Sequence, residues 1–265
     1  MDKVTVPSLL ARKGEAGRKI TALTAYDAPF ARLMDAAGID IILVGDTVGV
    51  VVQGEENTLP VTLDQMIYHT RIVSRAARRA LVVGDMPFLS YQVSLEETLR
   101  NAGRFFQEGG AAAVKLEGGA AVADRIEALT KYDLPVMAHI GLTPQSIHRM
   151  GGYRVQGRDH PERLLAAAKT VESAGAFAVV LEGMPMTLAA HITKSLQIPT
   201  LGIGAGPHCD GQVLVLHDLL GLSVRRPRFA RVYGDVASLT AEAFRRFKSD
   251  VESGRFPAED EGYTP

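Results

Sequence analysis

Five short apolar runs in this 265-residue sequence each lead to a residue that can do chemistry. Ile41-Ile42-Leu43-Val44 precedes Gly45-Asp46, and Leu81-Val82-Val83 precedes Gly84-Asp85. Ala113-Val114-Lys115-Leu116 precedes Glu117, Pro135-Val136-Met137-Ala138 precedes His139, and Ala178-Val179-Val180-Leu181 precedes Glu182. Acids crowd together only where a cation or a shared proton offsets their repulsion. Asp46, Asp85 and Glu117 follow consecutive runs, and neighbouring strands lie about 4.8 Å apart. The three can therefore surround one hard divalent ion such as Mg²⁺, with positions left for water and substrate. The alternative is that each acid caps the next helix or pairs with an arginine.

The other groups fit around that ion. Lys115 stands two residues before Glu117, so on a strand both project to the same side. An inward lysine needs an anion, either the metal-bound acids or a substrate carboxylate. Thr47 offers a hydroxyl at the same rim, for a ligand or for a turn. Glu182, across the mouth, is placed to act as a general base. His139 is the rival proton carrier, or else a structural histidine. The remaining six histidines have no ligand spacing among them. Gly202-Ile203-Gly204-Ala205-Gly206 lacks both the G-x-G-x-x-G spacing and the lysine of a P-loop. There is no G-x-S-x-G, and the single cysteine, Cys209, excludes an intrachain disulfide and a thiolate cluster.

Such convergence requires parallel strands whose ends share a face. The chain is α/β, and about eight strand candidates alternate with helices, as in a closed (β/α)8 TIM barrel. Besides the five runs these are residues 20–24, 200–203 and 212–216. Helical patterns cover 28–37, 63–78, 94–107, 120–131, 161–174 and 185–196. Thr62 and Ser94 are N-cap candidates, and Gly38, Gly109 and Gly175 are helix stops. Two long loops, 45–62 and 141–159, leave the face that carries the acids, where a lid would be useful. The 204–211 connection is too short for a full helix. The length suits a single barrel domain over 1–265, with C-terminal helices from about 239 and a loose acidic tail.

Composition sets the partners. A net charge of −1 gives no reason to expect nucleic acid. Basic clusters at 75–79 and 225–231 read as solvated faces or subunit contacts, with a phosphate-facing role as the alternative. No apolar stretch is long enough to span a bilayer and the N-terminus has no signal-like run, so a soluble cytoplasmic protein is expected.

At these residues the chain resembles the ketopantoate hydroxymethyltransferase family. The matching segments include Thr24-Ala25-Tyr26-Asp27, Val44-Gly45-Asp46, Asp85-Met86-Pro87-Phe88 and Val114-Lys115-Leu116-Glu117-Gly118-Gly119. His139-Ile140-Gly141-Leu142-Thr143-Pro144-Gln145, Leu181-Glu182 and Leu216-His217-Asp218 follow in family order. The resemblance implies a barrel of the phosphoenolpyruvate/pyruvate type, a Mg²⁺ requirement and a homo-oligomer, a decamer. The implied reaction moves a hydroxymethyl group from 5,10-methylenetetrahydrofolate to the 2-oxoacid 3-methyl-2-oxobutanoate through a Mg-stabilised enolate. It gives 2-dehydropantoate for pantothenate biosynthesis. Carried over by position, Asp46, Asp85 and Glu117 match the metal site, and Asp46, Thr47, Asp85 and Lys115 the oxoacid site. Glu182 matches the proton acceptor. The family usually has serine where this chain has Thr47, and Gly183-Met184 is less usual. The rival readings are a Mg-dependent 2-oxoacid lyase or mutase of the same superfamily, and a non-catalytic oligomeric scaffold. The lyases typically carry a lid cysteine, which neither long loop contains.

Overall fold

Every apolar run folds as a parallel strand and pairs with the next one along the chain. In the computed structural model, which describes residues 2–15 and 17–263, the strands close into a barrel in sequence order. They are β1 (Ile20–Thr24), β2 (Ile41–Val44), β3 (Leu81–Asp85), β4 (Ala113–Glu117), β5 (Val136–Gly141), β6 (Ala178–Glu182), β7 (Thr200–Ile203) and β8 (Gly211–Leu214). β8 pairs back onto β1, Ile20 opposite Gly211. Every residue of β2, β3, β4 and β5 is buried, which is why they read as continuous apolar runs without alternation.

Helices return the chain between most strands, with ends close to those expected. The Thr62 hydroxyl accepts from Gln65 N at 3.3 Å, and that of Ser94 from Glu97 N at 3.1 Å. Gly38 and Gly175 take the left-handed conformation that stops a helix, at φ 82° and 97°. After the helix Leu95–Gln107, Gly110 takes that role at φ 69°, in place of Gly109. Gly109 is instead a close approach: a Cβ there would lie 2.6 Å from Phe105 O. The 204–210 connection between β7 and β8 holds no helix, while single helical turns, Val48–Val51 and Ile147–Met150, sit within the two long loops.

The face opposite the acids is sealed by a segment that carries no chemistry. The short helix Val6–Leu10 follows Thr5, whose hydroxyl accepts from Ser8 N. Leu9 and Val4 join Ile20, Ile41, Leu81 and Met137 in one buried cluster inside the barrel. Arg12 pairs with Asp40 at 2.9 Å, and Lys13 with Asp210 at 2.8 Å. Asp40 and Asp210 precede β2 and β8, so both pairs lie at the strands' N-terminal ends. Arg79, from the first basic cluster, also turns inward, donating to Gly38 O and Ile39 O and pairing with Asp40 at 3.1 Å.

The chain divides into two compact units, one running to Val215 and the other starting at Leu216. In the second, the helix Val236–Glu252 begins at Asp235, whose carboxylate accepts from Ser238 N at 3.1 Å. Leu239, Phe244 and Phe247 on this helix are exposed. Among the described residues no helix is long and apolar enough to cross a membrane.

Candidate active site

The residues anticipated from the sequence, Asp46, Thr47, Asp85, Lys115, Glu117, His139 and Glu182, all line one cavity at the strands' C-terminal ends. Asp85, Glu117 and Glu182 end β3, β4 and β6, and Asp46 follows β2 by two residues. The rim is tight between β2 and β3, where Asp46 N donates to Asp85 Oδ2 at 3.1 Å. Gly45 makes room there, since a Cβ would lie 2.8 Å from Thr47 Oγ1. A shallower groove on the outer face of the helix Met186–Ser195, between Thr187, His191 and Lys194, contains none of these groups.

Lys115 stands among the acids. Its Nζ donates to Asp85 Oδ1 at 2.6 Å and to Glu117 Oε1 at 3.3 Å, with 4% exposure. Burial works against the ammonium, but Asp85, Glu117 and Asp46 outweigh it and raise its pKa. Burial likewise disfavours a charged Glu117, yet Lys115, His139 and the Gln145 N–H hold its carboxyl below the usual range. Asp46 goes the other way. Burial pushes its carboxyl well above the usual range, and the charges of Asp85 and Glu117 add to that. Asp85 is raised by burial and by Glu117, against the pull of Lys115.

His139 differs from expectation in position. It lies inside β5, which runs on to Gly141, rather than at the strand end. The register sets it opposite Glu117 on one side and Val180 on the other. Its Nδ1 is 3.4 Å from Glu117 Oε1 and its Nε2 3.2 Å from Glu182 Oε2. Both contacts are ion-pair distances, and neither is aligned as a hydrogen bond. Burial and Lys115 oppose a charged ring, but the two carboxylates raise its pKa to about 9. Gly141 explains why β5 and β6 can end so close together. At φ 97° it lets Leu142 N reach Glu182 O at 2.9 Å, and a Cβ would sit 2.2 Å from that oxygen.

Three further side chains belong to the site although their roles were not read from the sequence. Tyr26, just after β1, holds its phenol oxygen 2.7 Å from Thr47 Oγ1. Gln145 donates from Nε2 to Asp46 Oδ2 at 2.9 Å, and from its backbone N to Glu117 Oε2 at 3.0 Å. Tyr91 donates to Gln145 Oε1 at 2.7 Å. Their sequence signal was faint: polar residues in the loops that leave β1, β3 and β5 at the same face as the acids.

The donor set suits a hard divalent cation. Asp46, Asp85, Glu117 and Glu182 meet only two basic side chains, Lys115 and His139, in this mouth, so acids outnumber bases. The raised proton affinity of Asp46 and Asp85 is the protein's own answer to that excess. Among the described residues no group of three or more acidic, histidine or cysteine side chains is placed to hold a metal ion by itself. Mg²⁺ needs fewer protein ligands, taking one or two carboxylates with the rest water or substrate oxygen.

Comparison with known proteins gives a consistent result. A family model described as ketopantoate hydroxymethyltransferase matches residues 3–259. The 3-methyl-2-oxobutanoate hydroxymethyltransferase of Trichlorobacter lovleyi is 59% identical over 264 residues, covering 99% of each chain. That of Geobacter metallireducens is 62% identical over 252 residues, covering 94% of each. Among solved structures, phosphoenolpyruvate phosphomutase from Streptomyces platensis subsp. rosaceus superposes with a TM-score of 0.63 at 17% identity, over 98% of this chain and 92% of that one. Phosphonopyruvate hydrolase, solved with oxalate and Mg²⁺, gives 0.62 at 15% identity, over 98% and 93%. At such identities the likeness to these two is one of fold.

Proposed function

Because the chain belongs to the ketopantoate hydroxymethyltransferase family, it is an enzyme that hydroxymethylates 3-methyl-2-oxobutanoate, and we propose that it does so with Mg²⁺ and 5,10-methylenetetrahydrofolate. The observation that carries the metal reading is the convergence of four carboxylates, Asp46, Asp85, Glu117 and Glu182, on one cavity that holds only Lys115 and His139 as bases. Mg²⁺ in the phosphonopyruvate hydrolase structure, on the same fold, supports it. Asp46, Asp85 and Glu117 would hold the ion. When bound, it supplies Lewis acidity that polarises the 2-oxo group and acidifies C3–H.

The chain's own residues do the rest. Lys115 and the Thr47 hydroxyl, the latter steadied by Tyr26, take the oxoacid carboxylate. Leu43, Val180, Ile203 and Val213 line the same cavity and accept the branched alkyl end. Glu182 removes the C3 proton. Its side chain is 16% exposed against 2–4% for Asp85, Lys115, Glu117 and His139, so a substrate can reach it. His139 steadies the base by its charge, with one ring nitrogen against Glu117 and the other against Glu182. A carbon–carbon bond then forms between C3 and the folate's methylene carbon as one of that carbon's two C–N bonds breaks. The second breaks when water adds, the two nitrogens taking up the protons released. Water supplies the hydroxyl oxygen, and tetrahydrofolate leaves.

The remaining features of this reading are a cytoplasmic location and a homo-oligomer, a decamer. Exposed Leu239, Phe244 and Phe247 on one helix support self-association. The test of the chemistry is C3–H exchange of the oxoacid in D2O, followed by NMR with Mg²⁺ and no folate. Wild type should exchange, Glu182→Gln should lose about a hundredfold or more in rate, and Asp85→Ala should lose Mg²⁺ affinity first. Undiminished exchange in Glu182→Gln would move the base elsewhere, and product formation without folate would exclude the proposed donor.

A further inference from the structure

Gln145 grips two of the acids at once. It follows Pro144 in the loop leaving β5 and is 7% exposed. Nε2 donates to Asp46 Oδ2 at 2.9 Å and to Met86 O at 3.0 Å. Oε1 accepts from the Tyr91 phenol at 2.7 Å and from Gln92 Nε2 at 3.3 Å. The backbone N–H donates to Glu117 Oε2 at 3.0 Å. A carboxamide has two protons and two acceptor directions, and all four are in use. One residue from the β5 loop thus holds a carboxylate at the β2 rim and another at the β4 rim, across the loop that leaves β3.

Tyr91 on one side and Met86 O on the other fix which way the amide faces. Glu117 N donates to the phenol oxygen at 3.2 Å. The phenol's single proton has two acceptors in reach, Gln145 Oε1 at 2.7 Å and Glu117 O at 3.2 Å, of which the amide oxygen is the nearer. Turning the amide over would set its oxygen against Asp46 Oδ2 and Met86 O, both acceptors, in a buried place where such contacts are costly. The donor's neutrality also matters. A lysine here would compete with a cation for the Asp46 charge. An amide fixes one oxygen and leaves that charge intact.

We infer that Gln145, oriented by Tyr91, is a positioning residue that holds Asp46 by Oδ2 so that its Oδ1 is left for a divalent ion, and holds Glu117 by Oε2 with its Oε1 turned to Lys115 and His139. The inference rests on the metal reading above. It differs from a packing role in its consequence, because supporting bonds to metal-ligating groups typically change metal affinity tenfold to a hundredfold when removed.

The experiment is titration calorimetry of Mg²⁺ into the full-length protein, alongside far-UV circular dichroism and thermal midpoints. Wild type, Gln145→Met, Tyr91→Phe and the double variant are compared well below their midpoints. Methionine matches glutamine in length and lacks its donors. Gln145→Met should weaken Mg²⁺ binding by about tenfold or more. Tyr91→Phe should weaken it by a smaller factor. The double variant should lose less than the product of the two, because Tyr91 acts through the amide. Wild type that binds no Mg²⁺ would overturn the metal reading itself. Wild type that binds while Gln145→Met binds equally well, whatever its thermal midpoint, would overturn the positioning role alone. Should Gln145→Met fail to fold, Tyr91→Phe, which removes one oxygen atom, decides: unchanged Mg²⁺ affinity there overturns the inference.

Discussion

The Thr47 hydroxyl lies 2.7 Å from the Tyr26 phenol, and the β-branch on Thr47 limits the rotamers that could break that contact. If this hydroxyl donates to the oxoacid carboxylate, its loss is the loss of a hydrogen bond to a charged group, about 1.5–3 kcal/mol. Thr47→Val should therefore raise KM for the oxoacid by about tenfold to a hundredfold, while Thr47→Ser, which keeps the oxygen, should stay near wild type. Steady-state kinetics at saturating folate checks this, and an unchanged KM in Thr47→Val would take the hydroxyl out of carboxylate binding. The acids were legible as residues because each stands where an apolar run stops. Tyr91 and Gln145 were not. Their roles come from amide and phenol groups meeting across the loops after β3 and β5, and no spacing within one segment encodes that meeting.

Gly141 links two elements. The C-terminal ends of β5 and β6 meet through Leu142 N and Glu182 O, an approach that leaves no room for a Cβ. Gly141→Ala adds strain at φ 97° to a 2.2 Å clash with backbone. It should cost about 2–4 kcal/mol of stability and lower kcat by more than Gly103→Ala, where nothing stands within 4 Å of the new Cβ. Urea unfolding and steady-state rates of the two variants test this, and equal behaviour would remove the β5–β6 junction from the site's construction. Strand limits were readable because buried parallel strands are uniformly apolar. Two strands differed: β5 continues through the polar His139, whose ring two carboxylates flank inside the barrel, and β8 spans Gly211–Leu214 where 212–216 was expected. The plug helix Val6–Leu10 escaped notice for a different reason: one turn carries little periodicity, and Leu9 finds its partners on distant strands.

For the first unit as a whole, acid sensitivity should arise on the plugged face. The Asp210 carboxylate accepts from Lys13, from Gly14 N and from both the N–H and the hydroxyl of Thr200. Burial opposes its charge, but these donors hold its carboxyl below the usual range. A folded pKa lowered in this way adds stability above the unfolded value of about 3.9, and that stability is lost as pH falls through the folded value. Asp210→Asn should cost about 3 kcal/mol at pH 7, with the gap to wild type narrowing near pH 3. Urea midpoints at the two pH values measure it, and a constant gap would exclude Asp210 from the acid response. The barrel as a class was legible from eight alternating runs. Closure was expected from that count, but the register in which β1 and β8 meet was not legible, because it is set only once the intervening chain has been wound.

That meeting has a kinetic side. Lys13 and Asp210 are 197 residues apart, so the contact that locks the first strand to the last carries one of the longest loop closures the chain can make. Until the eighth strand arrives, the free edge of the first offers unpaired backbone to any extended neighbour. A newly made chain is therefore most prone to stick to its own kind during the interval just before the ring shuts, and conditions that shorten that wait should raise the yield of native protein.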